Sequence, residues 1–411
     1  MKILLLFMLF FCTVSLLHAE SAYKARKRFD LTNKCENCHA RVSPGINNDW
    51  GKSLHAKANV TCIDCHQAEK TDTDARAHEG SFVSAIVSPK DCSRCHPKQV
   101  SEFNDSLHAK AVSFIQNLEG DRAGDNVLAY KIQGKASAIV GCEKCHGSQV
   151  KVENGKLDPE TWPNGGIGRI NPDGSRGSCT ACHTRHKFSV EESRRPETCG
   201  TCHMGPDHPQ YEIYMESKHG VIYEAENKTW DMDVATKTWD TQHYRAPTCA
   251  TCHMSGIGEL ESTHNVSSRL SWELEWPLSE KTENWKGKRN KMMKVCLACH
   301  SVTWAENFYK QFDDAVVLYN EEYFKPIKKE MDALYAEGYL TKAKFDEEIE
   351  FKYFEYWHHE GRRARMGASM MAPDFAQWHG FYELAKHRLE IKNKIQEIRE
   401  KKAKHFTAEE K

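Results

Sequence analysis

Eight copies of one five-residue pattern, Cys-x-x-Cys-His, take up every cysteine but one in this 411-residue chain. They are Cys35/Cys38/His39, Cys62/Cys65/His66, Cys92/Cys95/His96 and Cys142/Cys145/His146, then Cys179/Cys182/His183, Cys199/Cys202/His203, Cys249/Cys252/His253 and Cys296/Cys299/His300. At the cysteine and histidine frequencies of the chain, chance predicts roughly 0.04 such patterns. Two thiols three positions apart can bond to the two vinyl groups of one haem, and the adjacent imidazole then supplies an axial nitrogen to the iron. Zinc would explain paired cysteines but has no need of a histidine directly after all eight pairs. Disulfides suit an exported protein, yet haem attachment leaves no thiol for them. The pattern therefore predicts eight covalently bound haem c groups.

That load constrains the fold. With one haem for about every 50 residues, side chains alone cannot fill the core, and porphyrin must take up much of it. The expected class is mainly α, a multihaem cytochrome c with a haem-packed core of short helices and loops; little sustained alternation points to strands. Motif starts are separated by 27, 30, 50, 37, 20, 50 and 47 residues, which is no strict tandem array. The step of 20 residues predicts that the fifth and sixth haems lie close together. After His300 the cysteines stop, and residues 301–411 read as a C-terminal region of long helices. It holds an aromatic-rich segment from Phe351 to Trp357 and a stripe of Leu384, Leu389, Ile391, Ile395 and Ile398, suited to core or subunit packing.

The N-terminus reads as an address. Met1-Lys2 precede the apolar run Ile3–Leu17 and a small residue at Ala19, the pattern of a secretory signal cut near Ala19. The run is short against the roughly 20 residues that span a bilayer, so an uncleaved anchor is the lesser alternative. Three parts are expected: residues 1–19 as signal, 20–300 as the octahaem-binding domain and 301–411 as the helical domain, in a periplasmic protein. Lys and Arg number 57 against 58 Asp and Glu, so there is no basic footprint for nucleic acid.

Histidines outside the pentads carry the functional question. His18 belongs to the leader, and His358, His359, His379, His387 and His405 lie in the helical tail. His55, His78, His108, His186, His208, His219, His243 and His264 remain as candidate sixth ligands. A haem with imidazoles on both sides moves electrons, whereas an open iron binds substrate; eight free histidines for eight haems permit either arrangement. His208 has distinctive company in Gly205-Pro206-Asp207-His208-Pro209-Gln210, where a carboxylate adjoins an imidazole in a turn. Such a pair suits proton delivery to a small nitrogen oxyanion as it takes electrons. An Asp that caps a turn before an ordinary distal His would leave the same residues.

The chain resembles the octahaem hydroxylamine oxidoreductase family over essentially its whole mature length. The resemblance is carried by Cys179-Thr180-Ala181-Cys182-His183-Thr184-Arg185-His186, the Gly205–Gln210 run, Ser217-Lys218-His219-Gly220 and His243-Tyr244-Arg245-Ala246-Pro247. Gly361-Arg362-Arg363-Ala364-Arg365 and Ala372-Pro373-Asp374-Phe375-Ala376-Gln377-Trp378-His379-Gly380 complete it. The resemblance implies a homotrimer with seven bis-histidine haems and one five-coordinate catalytic haem. It assigns that haem to Cys179, Cys182 and His183, with Asp207, His208 and Tyr244 over its open face. It leaves His55, His78, His108, His186, His219, His243 and His264 as the seven distal ligands.

In the family's oxidising members a tyrosine from a neighbouring subunit is linked to the catalytic haem, and Phe375 is similar in position to it here. Phenylalanine has no oxygen with which to form that link. The stretch between His208 and Tyr244 is also shorter than in those members. The resemblance therefore implies the reductive branch, which takes nitrite and hydroxylamine to ammonium, fed by a redox partner such as a quinol-oxidising membrane cytochrome c. The alternatives are a hydroxylamine or hydrazine dehydrogenase, a non-catalytic multihaem electron conduit, and a sulfur-oxyanion reductase.

Overall fold

A computed structural model describes residues 34–113, 132–236 and 238–409, with side chains through residue 401. The expected leader lies outside the described residues. Among them no helix is long and apolar enough to cross a membrane.

The chain is mainly α. Among the described residues the strands form three two-stranded antiparallel hairpins: Arg76–His78 with Ser81–Val83, Val152–Glu153 with Lys156–Leu157, and Trp272–Glu273 with Glu280–Lys281. Up to the last haem motif, the helices that lie wholly among the described residues run for nine residues or fewer, as in Pro44–Lys52, Pro97–Asn104 and Lys218–Glu226. Proline opens several of them (Pro44, Pro89, Pro97, Pro196), where its fixed φ fits and its missing N–H is not needed.

From Trp285 onward the helices lengthen: α1 Trp285–Cys296, α2 Val302–Leu318, α3 Lys325–Ala336, α4 Glu348–Glu355, α5 Gly361–Ser369 and α6 Glu383–Glu409. Because α1 ends on Cys296, the last haem motif runs directly into the helical part. Wide π-helical turns join α2 to α3 (Tyr319–Phe324) and α4 to α5 (Tyr356–Glu360), and a third (Gln377–Tyr382) leads into α6.

Tyr319, Phe324, Ile327, Met331, Leu334, Ile349, Tyr356, Leu384, Ile391 and Ile395 form one core, with Ile398 packed against it. The expected stripe on α6 is thus core of its own chain, except that Leu389 is 61% exposed and lies off it. A second core joins the two parts of the molecule: Ile213 and Leu274 pack with Tyr309, Phe312, Val316, Met366, Ala372 and Phe375. Arg365, wholly buried, reinforces that joint. It donates to the carbonyls of Gly361 (2.7 Å) and Trp276 (2.9 Å) and to Ser279 Oγ (2.5 Å), with its guanidinium 4.0 Å over Tyr319.

Candidate haem cavity and catalytic centre

Each motif is one helical turn. Cys62–His66, Cys142–His146 and Cys249–His253 are five-residue helices. The His amide donates to the first Cys carbonyl at 2.8 Å in His96, 3.0 Å in His183 and 2.9 Å in His203 and His300. One turn of helix puts positions i, i+3 and i+4 on a single face, which brings the two thiols and the imidazole of a motif to the same side. Local capping fixes these turns: the Thr61 amide donates to Asp64 Oδ2 (2.7 Å) and the Thr248 amide to Thr251 Oγ1 (3.0 Å).

The motif faces line one continuous cavity of about 2430 Å³. Six motif histidines stand across it from a second imidazole. Ring centroids are 6.2 Å apart for His39 and His78, 6.1 Å for His96 and His55, and 6.3 Å for His66 and His186. They are 6.4 Å apart for His183 and His264, 6.0 Å for His203 and His108, and 6.2 Å for His300 and His219. Two metal–imidazole bonds of about 2 Å each, with half a ring on either side, come to roughly 6 Å. The residues therefore fit haem iron held between paired histidines.

Three of these partners share a local device. Ser53-Leu54-His55-Ala56, Ser106-Leu107-His108-Ala109 and Ser217-Lys218-His219-Gly220 each set a buried serine two residues before the imidazole. Ser53 Oγ accepts from the Ala56 amide (3.0 Å) and Ser217 Oγ from the Gly220 amide (3.1 Å), so His55 and His219 sit in capped first turns. Gly220 is required there, because a Cβ would run into the Tyr214 carbonyl.

The motif order in space differs from that along the chain. The Cys35 thiol neighbours Cys62, Cys65 neighbours Cys92, and Cys92 lies against Cys179. Cys182 neighbours Cys199 and Cys202, as the short step between the fifth and sixth motifs predicts. Cys199 lies against Cys249, and Cys252 neighbours Cys296. Cys145 of the fourth motif lies against Cys202 of the sixth. The first, second, third, fifth, sixth, seventh and eighth motifs thus follow one another, with the fourth branching off at the sixth.

His146, at that branch, has surroundings of a different kind. Its helix is clamped by the loop after Trp162: the Ile167 amide donates to the Cys145 carbonyl (2.9 Å) and the Gly168 amide to that of His146 (3.2 Å). Gly147, at φ +83°, lets Arg169 approach where a Cβ could not fit. Burial, and then His208, push the His146 imidazole down to about 4, with Asp207 opposing. Asp207 also lies within electrostatic reach of the Cys142 and Cys145 thiols. Asp207 Oδ2 is 3.3 Å from His208 Nε2, both side chains about one-third exposed, while His208 Nδ1 is buried without a hydrogen-bond partner. Arg362 holds this loop from α5: it donates to the Asp207 carbonyl (3.1 Å) and, through Nε, to the Glu275 carbonyl (2.8 Å).

Four expectations change. His264, nearly parallel to His183 at 26°, stands where a sixth ligand would, so the Cys179–Cys182–His183 motif is not the open one. Asp207 and His208 come together within electrostatic reach of His146 of the preceding motif, with the His208 ring 5.9 Å from that of His203. Tyr244 does not join them. Its ring is 4.7 Å from Trp239, and burial, then Cys299 and Cys252, push its phenol up to about 12, which places it at the seventh and eighth motifs. His243 does not line the cavity; its Nδ1 is 3.1 Å from Asp240 Oδ1, a local pair within one turn. Phe375 is buried in the second core beside Ile213 and Met366, so that position faces its own chain rather than a neighbour.

Two of the sixteen expected haem-bearing thiols stand apart from the rest in position. Cys38 and Cys142, both half-buried, do not line the cavity, whereas Cys35 and His39 of the one motif and Cys145 and His146 of the other do. Around Cys38 the helix is open to solvent, with Asn37, Ala40, Arg41 and Val42 all exposed, and the enclosed wall stops at Cys35 and His39. In both motifs the remaining cysteine and the histidine of the same turn still face inward.

Sequence reasoning missed His358, which it left in the helical tail. The turn Tyr356–Glu360 brings it to the cavity wall with Asp207, His208 and Arg362. Wide π turns of this kind recur at functional sites.

Short helical turns of Cys-x-x-Cys-His, facing paired imidazoles across one cavity, define a multihaem c-type cytochrome. The family described as seven times multi-haem cytochrome CxxCH matches residues 173–347, and that of cytochrome c554 and c-prime matches residues 91–161. Within this class the chain is similar to proteins whose names refer to hydroxylamine oxidoreductase. It is 27% identical over 338 residues, 68% of its length, to a probable nitrite reductase–hydroxylamine oxidoreductase fusion protein of Kuenenia stuttgartiensis, and spans only 35% of that relative. A solved hypothetical multiheme protein superposes with a TM-score of 0.82 at 26% identity, covering 91% of this chain and 96% of the other. The fold also matches a reducing HAO-like protein complex of K. stuttgartiensis (TM-score 0.67, 22% identity, 92% of this chain and 87% of that one).

Proposed function

We propose that the protein reduces nitrite and hydroxylamine to ammonium at the haem attached to Cys142 and Cys145 and ligated by His146. Eight haem c groups, one per motif, supply the iron that binds the nitrogen and the electrons that reduce it. Six of the other seven motifs have proposed ligand pairs, His39 with His78, His66 with His186, His96 with His55, His183 with His264, His203 with His108 and His300 with His219, and His253 of the seventh motif is assigned no partner. His108 is preferred to His208 opposite His203, although His208 is also close at 5.9 Å, because His208 Nε2 is already turned to Asp207.

The observation that carries this proposal is the Asp207–His208 pair beside His146. Reducing nitrite to ammonium consumes protons at every stage, so the site must present a group that can take up a proton and release it again. His208 is that group. Asp207 orients it and balances its charge when protonated, and the Arg362 clamp on the Asp207 carbonyl keeps the pair in place. The protein is proposed to work in the periplasm as a homotrimer, after cleavage near Ala19, with electrons from a membrane cytochrome that oxidises quinol.

Steady-state ammonium formation from nitrite, with a reduced dye as donor, tests this function. Turnover only in the oxidative direction would overturn it. So would a ferric holoprotein in which cyanide and hydroxylamine perturb no haem signal, which would leave an electron conduit.

A further inference from the structure

On the stretch of cavity wall that carries Asp207, two buried imidazole nitrogens have no hydrogen-bond partner: Nδ1 of His208 and Nδ1 of His358. A buried polar atom without a partner forfeits its hydration for nothing, so its persistence in a cavity points to a ligand that completes it. The side chain of His358 is held for the purpose. Its ring stacks on Phe354 at 4.3 Å and meets Trp357 edge-on at 5.0 Å, which leaves it little freedom to turn. Arg362, four positions further on, commits three of its five N–H donors to the backbone carbonyls of Asp207 and Glu275. The guanidinium is thereby fixed against the wall beside His358.

We infer that His358 is a second substrate-binding imidazole of this pocket, hydrogen-bonding through Nδ1 to an oxygen of the bound nitrogen compound opposite His208. The inference rests on the function proposed above and adds a specificity-determining residue to it. His358 and His208 have different tasks. Burial, then Arg362, keeps the His358 imidazole neutral, down to about 2, so it holds an oxygen and delivers no proton. His208, paired with Asp207, carries the proton. A small oxyanion or hydroxylamine presents an oxygen to one side of its nitrogen, as this arrangement needs, whereas the one acceptor of end-on cyanide, its nitrogen, lies in line with the metal bond and gains much less from it.

The test compares H358L, which keeps the bulk, with H358Q, which keeps a donor and an acceptor, in fully haem-loaded holoprotein. Nitrite, hydroxylamine and cyanide are each titrated into the ferric protein by absorbance, and KM and kcat for nitrite are measured in parallel. A hydrogen bond to a charged ligand is worth enough for H358L to weaken nitrite binding about tenfold or more. KM should rise by a similar factor, with kcat and its pH profile little changed. Cyanide affinity should move less than threefold, about the floor for a lost direct contact, and H358Q should recover most of the nitrite affinity. Unchanged nitrite binding in H358L, or equal losses for nitrite and cyanide, would overturn the inference while leaving the proposed function intact. Wild-type protein that binds nitrite with this His358 dependence but forms no ammonium would overturn the function and leave the inference standing. Wild-type protein that binds no nitrite would overturn both.

Discussion

Asp207→Asn is the sharpest probe of the centre beside His146. The substitution keeps the volume of the side chain and removes its charge. The clamp survives, because Arg362 donates to the Asp207 backbone carbonyl. What is lost is a charge-assisted contact of 3.3 Å to His208 Nε2. Such contacts contribute about 1.5–3 kcal/mol. Both partners here are about one-third exposed, so solvent screening puts the loss at the lower end, about 1.5 kcal/mol. If the pair acts while protons are being delivered, that energy falls on the transition state, and kcat for nitrite should drop about tenfold. KM should move less. The assay is ammonium formation with a reduced dye donor, normalised to haem content. A variant with full haem content and a kcat within twofold of the wild type, a factor worth under about 0.5 kcal/mol, would refute the proton-relay role.

Three further outcomes follow from the geometry. His264→Ala should strip the second imidazole from His183 and create a new high-spin ferric signal, while the signal perturbed by nitrite stays; an unchanged electron paramagnetic resonance spectrum would disprove that pairing. Phe375→Tyr should leave the intact mass of the haem-loaded chain free of any added cross-link and cost about 1–3 kcal/mol, because its hydroxyl would be buried in an apolar core; a haem–tyrosine adduct on mass spectrometry would contradict this. Asp313 sits in a cradle of Arg289 (2.6 and 2.7 Å), Lys281 (2.8 Å) and Trp272 Nε1 (2.7 Å), which, against the opposing effect of burial, holds its carboxyl down at about 2. A depressed carboxyl stabilises the fold above its unfolded pKa, and that contribution is lost as the pH falls from about 4 towards 2. Asp313→Asn should therefore flatten the acid limb of stability and remove about 2 kcal/mol at neutral pH, read by hydrogen exchange on α2; an acid limb as steep as that of the wild type would contradict it.

Much of this was legible in the chain because it is local. A Cys-x-x-Cys-His turn, a serine or threonine cap and an opening proline each depend on neighbours within about one turn, and so does the Asp207–His208 contact. The α6 stripe was legible for the same reason, apart from Leu389, which the helical period turns to the outside. The pairing of imidazoles across the cavity was not. Which ring faces His183 depends on where the chain has returned by His264, and the spacing of motifs carries no record of that path. Assigning the catalytic haem to the Cys179 motif followed from the segment richest in family-like residues, yet that segment builds a capped pair. One local signal could have narrowed the distal set: the repeated serine two residues before His55, His108 and His219. His243 lacks it and sits in a turn with Asp240. His358 was out of reach of sequence reasoning, since only the packing of α4 and α5 against the haem-bearing part returns the tail to the cavity.

The branch at the fourth motif gives this packing a functional consequence. Cys202, which lies against Cys145, and the Asp207–His208 pair belong to one short stretch of chain, between Cys199 and Gln210. That stretch folds back on itself: the Tyr211 amide donates to the His203 carbonyl (3.0 Å) and the Gly205 amide to Glu212 Oε1 (2.9 Å). Arg362 pins its middle from α5, and the buried Arg365 ties the same helix to residues 276–279. A displacement of α5 would therefore move the thiol neighbour of Cys145 and the Asp207–His208 pair together. Under the proposed function, the helical region would thereby set the geometry of both electron and proton delivery to the fourth motif.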